Sequence, residues 1–146
     1  MHLTELVGLS AHVWFVHADV TRLPFPDASF STCISQEALL HVPDKDSLFR
    51  ECNRVLVVGG QIVFTDWIRG DDLSAIERAR LAQTMAAHGL ASLAEYRRVL
   101  VETGFANVVA DDLSLARVGA HPSRSPRDVS RVARADHRPI RPGALR

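Results

Sequence analysis

Along these 146 residues the apolar positions alternate between two spacings, one suited to strands and one to helices. Four short β-branched or aromatic runs read as buried strands: Val13-Trp14-Phe15-Val16, residues 30–35, Gln61-Ile62-Val63-Phe64-Thr65 and Asn107-Val108-Val109-Ala110. Between them the spacing becomes helical. Asp44 opens a helix that carries Leu48, Phe49, Cys52, Val55 and Leu56 on one face and is expected to end at Gly59-Gly60. A helical stretch near 72–88 stops at Gly89. Ser92 with Glu95 has the form of a capping box ahead of Leu93, Tyr96, Val99 and Leu100, a helix running up to Gly104. Residues 3–9 read as the last turns of a helix ending at Gly8 or Ser10. Leu23-Pro24-Phe25-Pro26-Asp27 is a loop, because two prolines restrict the backbone. The alternation implies an α/β domain, a mostly parallel sheet flanked by helices.

Composition fits one globular domain, with 47% hydrophobic and 23% charged residues. A formal net charge of zero hides an asymmetry. Residues 1–116 carry 9 basic and 15 acidic side chains, whereas residues 117–146 carry 8 arginines against Asp128 and Asp136. From Arg117 onward arginine, serine and proline lack apolar periodicity, which divides the chain into a domain at 1–116 and an Arg/Pro-rich tail at 117–146 expected to be disordered. No apolar run reaches the roughly 18 residues of a membrane span and no signal sequence is visible, so a cytoplasmic protein with no membrane partner is expected. Cys33 and Cys52 have neither disulfide nor zinc spacing and read as small buried hydrophobes; no metal site is expected.

In an open α/β sheet, ligands gather at the C-terminal ends of the strands. Asp19, Ser35-Gln36-Glu37 and Asp66-Trp67 stand there. A carboxylate at Asp19 suits an exocyclic amine such as that of adenine, with Leu23-Pro24-Phe25 covering a ring face; the competing reading is a cap on the turn at Thr21. Glu37 and His41 are four residues apart. On one face of a helical turn they would offer a carboxylate to attract an amine and an imidazole to accept its proton, while the alternative for His41 is packing at the start of the next helix. Asp66 either closes the pocket or caps a turn, and Trp67 is read as packing.

The stretch Val16-His17-Ala18-Asp19-Val20-Thr21-Arg22-Leu23-Pro24-Phe25-Pro26-Asp27-Ala28-Ser29-Phe30 resembles the third strand and following loop of class I S-adenosylmethionine-dependent methyltransferases of the type 11 domain. The likeness continues through Ser35–Val42, Arg54-Val55-Leu56, Gly59-Gly60 and Ile62–Asp66, and covers roughly residues 3–114. The wording is most similar to the branch acting on small amines such as sarcosine, dimethylglycine or phosphoethanolamine. The resemblance implies a partial Rossmann-like fold, S-adenosylmethionine as cofactor and a small-molecule acceptor, with Asp19 and Val20 at the adenine, Ser35 and Gln36 under the methionine portion, and Glu37 and His41 as candidate catalytic residues. Ala18 and Ser31 depart from the family's usual glycine and aspartate.

The family's glycine-rich first strand and acidic second strand have no counterpart, so the resemblance implies a chain truncated at its N-terminus, with exposed sheet edges prone to self-association. Isolated, such a chain is expected to be inactive. The alternative function is a non-catalytic remnant or binding module whose basic tail contacts RNA or an acidic partner. The tail has no aromatic residue to stack on bases, which argues against nucleic acid.

Overall fold

The computed structural model describes residues 3–70, 73–112 and 130–137. Four strands, β1 (Phe30–Gln36), β2 (Leu56–Trp67), β3 (Phe105–Asp111) and β4 (Ser130–His137), form one sheet in the order β1-β2-β4-β3. β1 and β2 are parallel and linked by helix α2 (Lys45–Val55), a βαβ unit, whereas β4 runs antiparallel to both β2 and β3. Helices α3 (Ala75–Met85) and α4 (Leu93–Glu102) lie between β2 and β3 in the chain, and the four-residue α1 (Leu3–Leu6) precedes the sheet.

Local chemistry sets the helix starts. Asp44 caps α2 by accepting from the Ser47 amide at 2.9 Å, and Ser74 and Ser92 form capping boxes with Glu77 and Glu95 at α3 and α4. α2 then turns Leu48, Phe49, Cys52 and Val55 onto the sheet. α4 adds Tyr96, Val99 and Leu100 to the same core, where Phe64 sits 5.6 Å from Phe49 and 5.3 Å from Tyr96 by ring centroid. α3 buries none of its side chains.

Three expectations change. α2 ends at Val55 rather than at Gly59-Gly60, because the β-branched run from Leu56 takes an extended backbone and pairs with β1 through Phe30. The two glycines instead carry an irregularity in β2, where the register slips between Phe30 and Thr32. Gly59 has φ +79°, and a Cβ on Gly60 would stand 2.8 Å from the Val57 carbonyl oxygen.

Second, Val13–Val16 is not a strand. Trp14 and Phe15 are 76% and 79% exposed, and the neighbouring backbone bonds locally, His12 and Val13 donating to Leu9. A strand needs a partner for its backbone groups, and among the described residues none lies beside this segment. Third, the segment expected to be disordered from residue 117 contributes β4. The facing edges of β2 and β3 offer a continuous ladder to a strand between them, and a backbone ladder does not require apolar periodicity. The rest of that tail lies outside the described residues. β1 is the outer strand of the sheet, its far edge unpaired among the described residues.

Candidate active site

The C-terminal ends of the parallel strands lie side by side, with Gln36 opposite Thr65. The chain leaves β1 through Glu37, a non-glycine residue at φ +49° whose amide donates to the Thr65 carbonyl at 2.7 Å. Left-handed backbone at such a position is uncommon and is held here by the strand beside it. The Glu37 carboxylate meets Nε1 of Trp67 at 3.4 Å. A 3-10 turn, Leu39–His41, follows. Glu37 and His41 therefore do not share a regular helical turn: Glu37 faces Trp67, while Nδ1 of the exposed His41 lies 3.1 Å from the Ala86 carbonyl oxygen.

Val20 and Ser35 meet on one cavity of about 380 Å³, lined also by Leu23, Phe25, Ala38 and Leu39. Gln36 alternates to the exposed side of β1. Asp19 is exposed, and its Oδ1 accepts both the Thr21 amide at 2.8 Å and the Thr21 hydroxyl at 2.7 Å, which hold the carboxyl below its ordinary range. The turn-capping reading is thus observed. Among the described residues no donor reaches Oδ2, and Asp19 itself is not among the residues lining the cavity, whereas its neighbour Val20 is.

The loop that contains Leu23 and Phe25 is fastened by one guanidinium. Arg54 donates to the carbonyls of Phe25 at 2.9 Å and Leu23 at 3.1 Å, and pairs with Asp27 and Glu51, each at 2.6 Å; Glu51 in turn accepts the Leu23 amide at 2.7 Å. Cys33 and Cys52 both line the cavity, and the neighbouring thiol together with burial raises the Cys52 thiol. Sequence reading placed both as hydrophobes but did not foresee the contact.

Sequence reading gave Asp66 as closing the pocket or capping a turn, and missed that it is buried behind the turn at 39–42. Asp66, 1% exposed, accepts the Leu40 amide at 3.2 Å and the Tyr96 hydroxyl. Burial raises the Asp66 carboxyl and, with the nearby carboxylate, the Tyr96 phenol. Lys45 donates to the carbonyls of Leu39 at 2.5 Å and Val42 at 2.6 Å; burial lowers its ammonium to about 8, partly opposed by Asp66. One signal was available, since Lys45 is the single lysine of the chain.

Residues 3–64 match the methyltransferase domain family. The chain is 32% identical over 110 residues to phosphoethanolamine N-methyltransferase 1 of Arabidopsis thaliana, covering 75% of this chain and 22% of that protein. It is 30% identical over 133 residues to the sarcosine/dimethylglycine N-methyltransferase of Halorhodospira halochloris, covering 87% and 43%. Its fold matches a crystal structure of Haemonchus contortus phosphoethanolamine N-methyltransferase 2, solved with phosphomonomethylethanolamine and S-adenosylhomocysteine, at a TM-score of 0.67 and 18% identity, over 83% of this chain and 36% of that one. The chain thus spans less than half the length of these relatives. The family match over residues 3–64 and the shared fold agree: the chain carries part of a Rossmann-like domain similar to those of S-adenosylmethionine-dependent methyltransferases.

Proposed function

We propose that this chain supplies part of the site of an enzyme that methylates a small amine, with S-adenosylmethionine as methyl donor. The observation that carries this reading is the cavity beside β1, lined by Val20 and Ser35, with Glu37 following the strand end in the chain; neither Glu37 nor His41 is among the residues that line it. Asp19 would accept the adenine amine, Val20 would lie beside the ring, and Ser35 and Gln36 would support the methionine portion. The cofactor supplies an electrophilic methyl group on a sulfonium. Glu37 would attract the acceptor as an ammonium and His41 would take its proton, leaving the nitrogen lone pair free for methylation.

Alone, this chain, which spans less than half the length of its relatives, is expected to turn over no cofactor. Co-expression with a fragment carrying the family's first two strands tests the reading, with labelled cofactor and sarcosine, dimethylglycine or phosphoethanolamine as acceptors. Methyl transfer by the pair and loss of cofactor binding in Asp19→Ala are expected. A soluble pair that binds no S-adenosylhomocysteine would overturn the assignment, and turnover by the chain alone would overturn the expected inactivity.

A further inference from the structure

The contact between His41 Nδ1 and the Ala86 carbonyl has a chemical direction. A carbonyl oxygen only accepts, so 3.1 Å is a hydrogen bond only when the proton sits on Nδ1. In the neutral ring Nε2 is then the bare nitrogen, the reverse of the form an unrestrained histidine side chain favours.

The two turns that meet at this contact are fixed to each other independently of the imidazole. Ala86 ends α3 in the left-handed region at φ +51°, and the Gly89 amide donates to the Leu40 carbonyl at 2.7 Å. A Cβ on Gly89 would stand 2.1 Å from the Val42 carbonyl oxygen and 2.7 Å from Lys45 Nζ, so only glycine permits this approach. From the other side Lys45 binds the Leu39 and Val42 carbonyls, and Asp66, itself bonded to Tyr96, binds the Leu40 amide. Every backbone polar group used by these ties belongs to the segment that carries His41 or to Gly89.

We propose that the turns at 39–42 and 86–89 form a tautomer lock, which keeps neutral His41 protonated on Nδ1 and leaves Nε2 as the proton acceptor. Lys45, Asp66 and Gly89 are its positioning residues, acting through the backbone. The proposal rests on the reading of His41 as the base, yet it is tested without methyl transfer. The full chain is labelled with 15N-histidine, and the long-range proton–nitrogen correlations of its 7 histidines are recorded just above neutrality, with His41 assigned by its loss in His41→Gln. The lock requires a protonated Nδ1 and a bare Nε2 at His41. Gly89→Ala and the milder Lys45→Met should each shift the pair of signals toward the mixture shown by unrestrained histidines. A parent His41 already in that mixture, or with its proton on Nε2, overturns the proposal, as does an unchanged signature in Lys45→Met. Because cofactor plays no part, failure here leaves the proposed reaction standing, and an inactive enzyme with the expected signature leaves the lock standing.

Discussion

On one side of the molecule α2 and α4 cover the sheet and bury Leu48, Phe49, Val55 and Leu100 completely. Along the chain up to and through β1 the pattern reverses: Trp14, Phe15 and Ile34 are each more than three-quarters exposed, and β1 has an edge left open among the described residues. The packed side is held by apolar area, the open side by polar fastening such as the Arg54 clamp. The candidate adenine acceptor Asp19 lies on the open side, while Glu37 and His41 stand where the two meet. Stability and recognition are thus largely assigned to different residues, and substitutions in the two regions should differ in kind.

The sharpest contrast is expected from Phe49→Ala, which empties the centre of the packed side and should cost about 3–5 kcal/mol in urea unfolding. A loss no greater than that of a surface change would break the comparison. Next comes pH. Lys45 has a native value of about 8 against an ordinary 10.5, so between these values the unfolded state holds more protons and stability rises with pH; the gain is lost as pH falls through about 8. The rise should amount to at most about 3 kcal/mol and should vanish in Lys45→Met, as read by unfolding at a series of pH values. Arg54→Ala should act locally, accelerating hydrogen exchange at the Leu23 amide while the amides of α4 keep their protection; equal loosening of both would show that the clamp serves the whole fold. The smallest effect on stability belongs to Trp14→Ala, within about 0.5 kcal/mol. On the same open side Ile34→Lys should reduce concentration-dependent self-association in sedimentation, by placing a charge on the bare edge.

What the sequence disclosed was mostly local. The Ser92 and Glu95 box, the Asp44 cap and the loop at the two prolines depend on residues a few positions apart, and each was legible. The strand ends were legible too, because β1 and β2 follow the pattern of a βαβ unit. The end of α2 was misplaced because glycines that usually stop helices here make an irregular strand. The failure at Val13–Val16 has a different origin: propensity marks a segment as suited to a strand but cannot supply its neighbour. At the candidate site, the spacing of Glu37 and His41 suggested one helical face, which the turn at 39–41 does not provide, and Lys45, Asp66, Gly89 and Tyr96 come together only through the fold. Gly89 was read as a helix stop, and its close approach to Val42 had no trace in the local pattern.

The place of β4 has a consequence for how the molecule is made. Residues 130–137 enter between strands that end at residues 67 and 111, so the middle of the sheet is closed by a segment synthesised after both of its neighbours. During translation the βαβ unit and α4 can collapse while the facing edges of β2 and β3 still await their shared partner. Closing that gap joins β4 to β2 across some 70 positions of chain, a long-range step that favours slow folding and a window of exposure to chaperones.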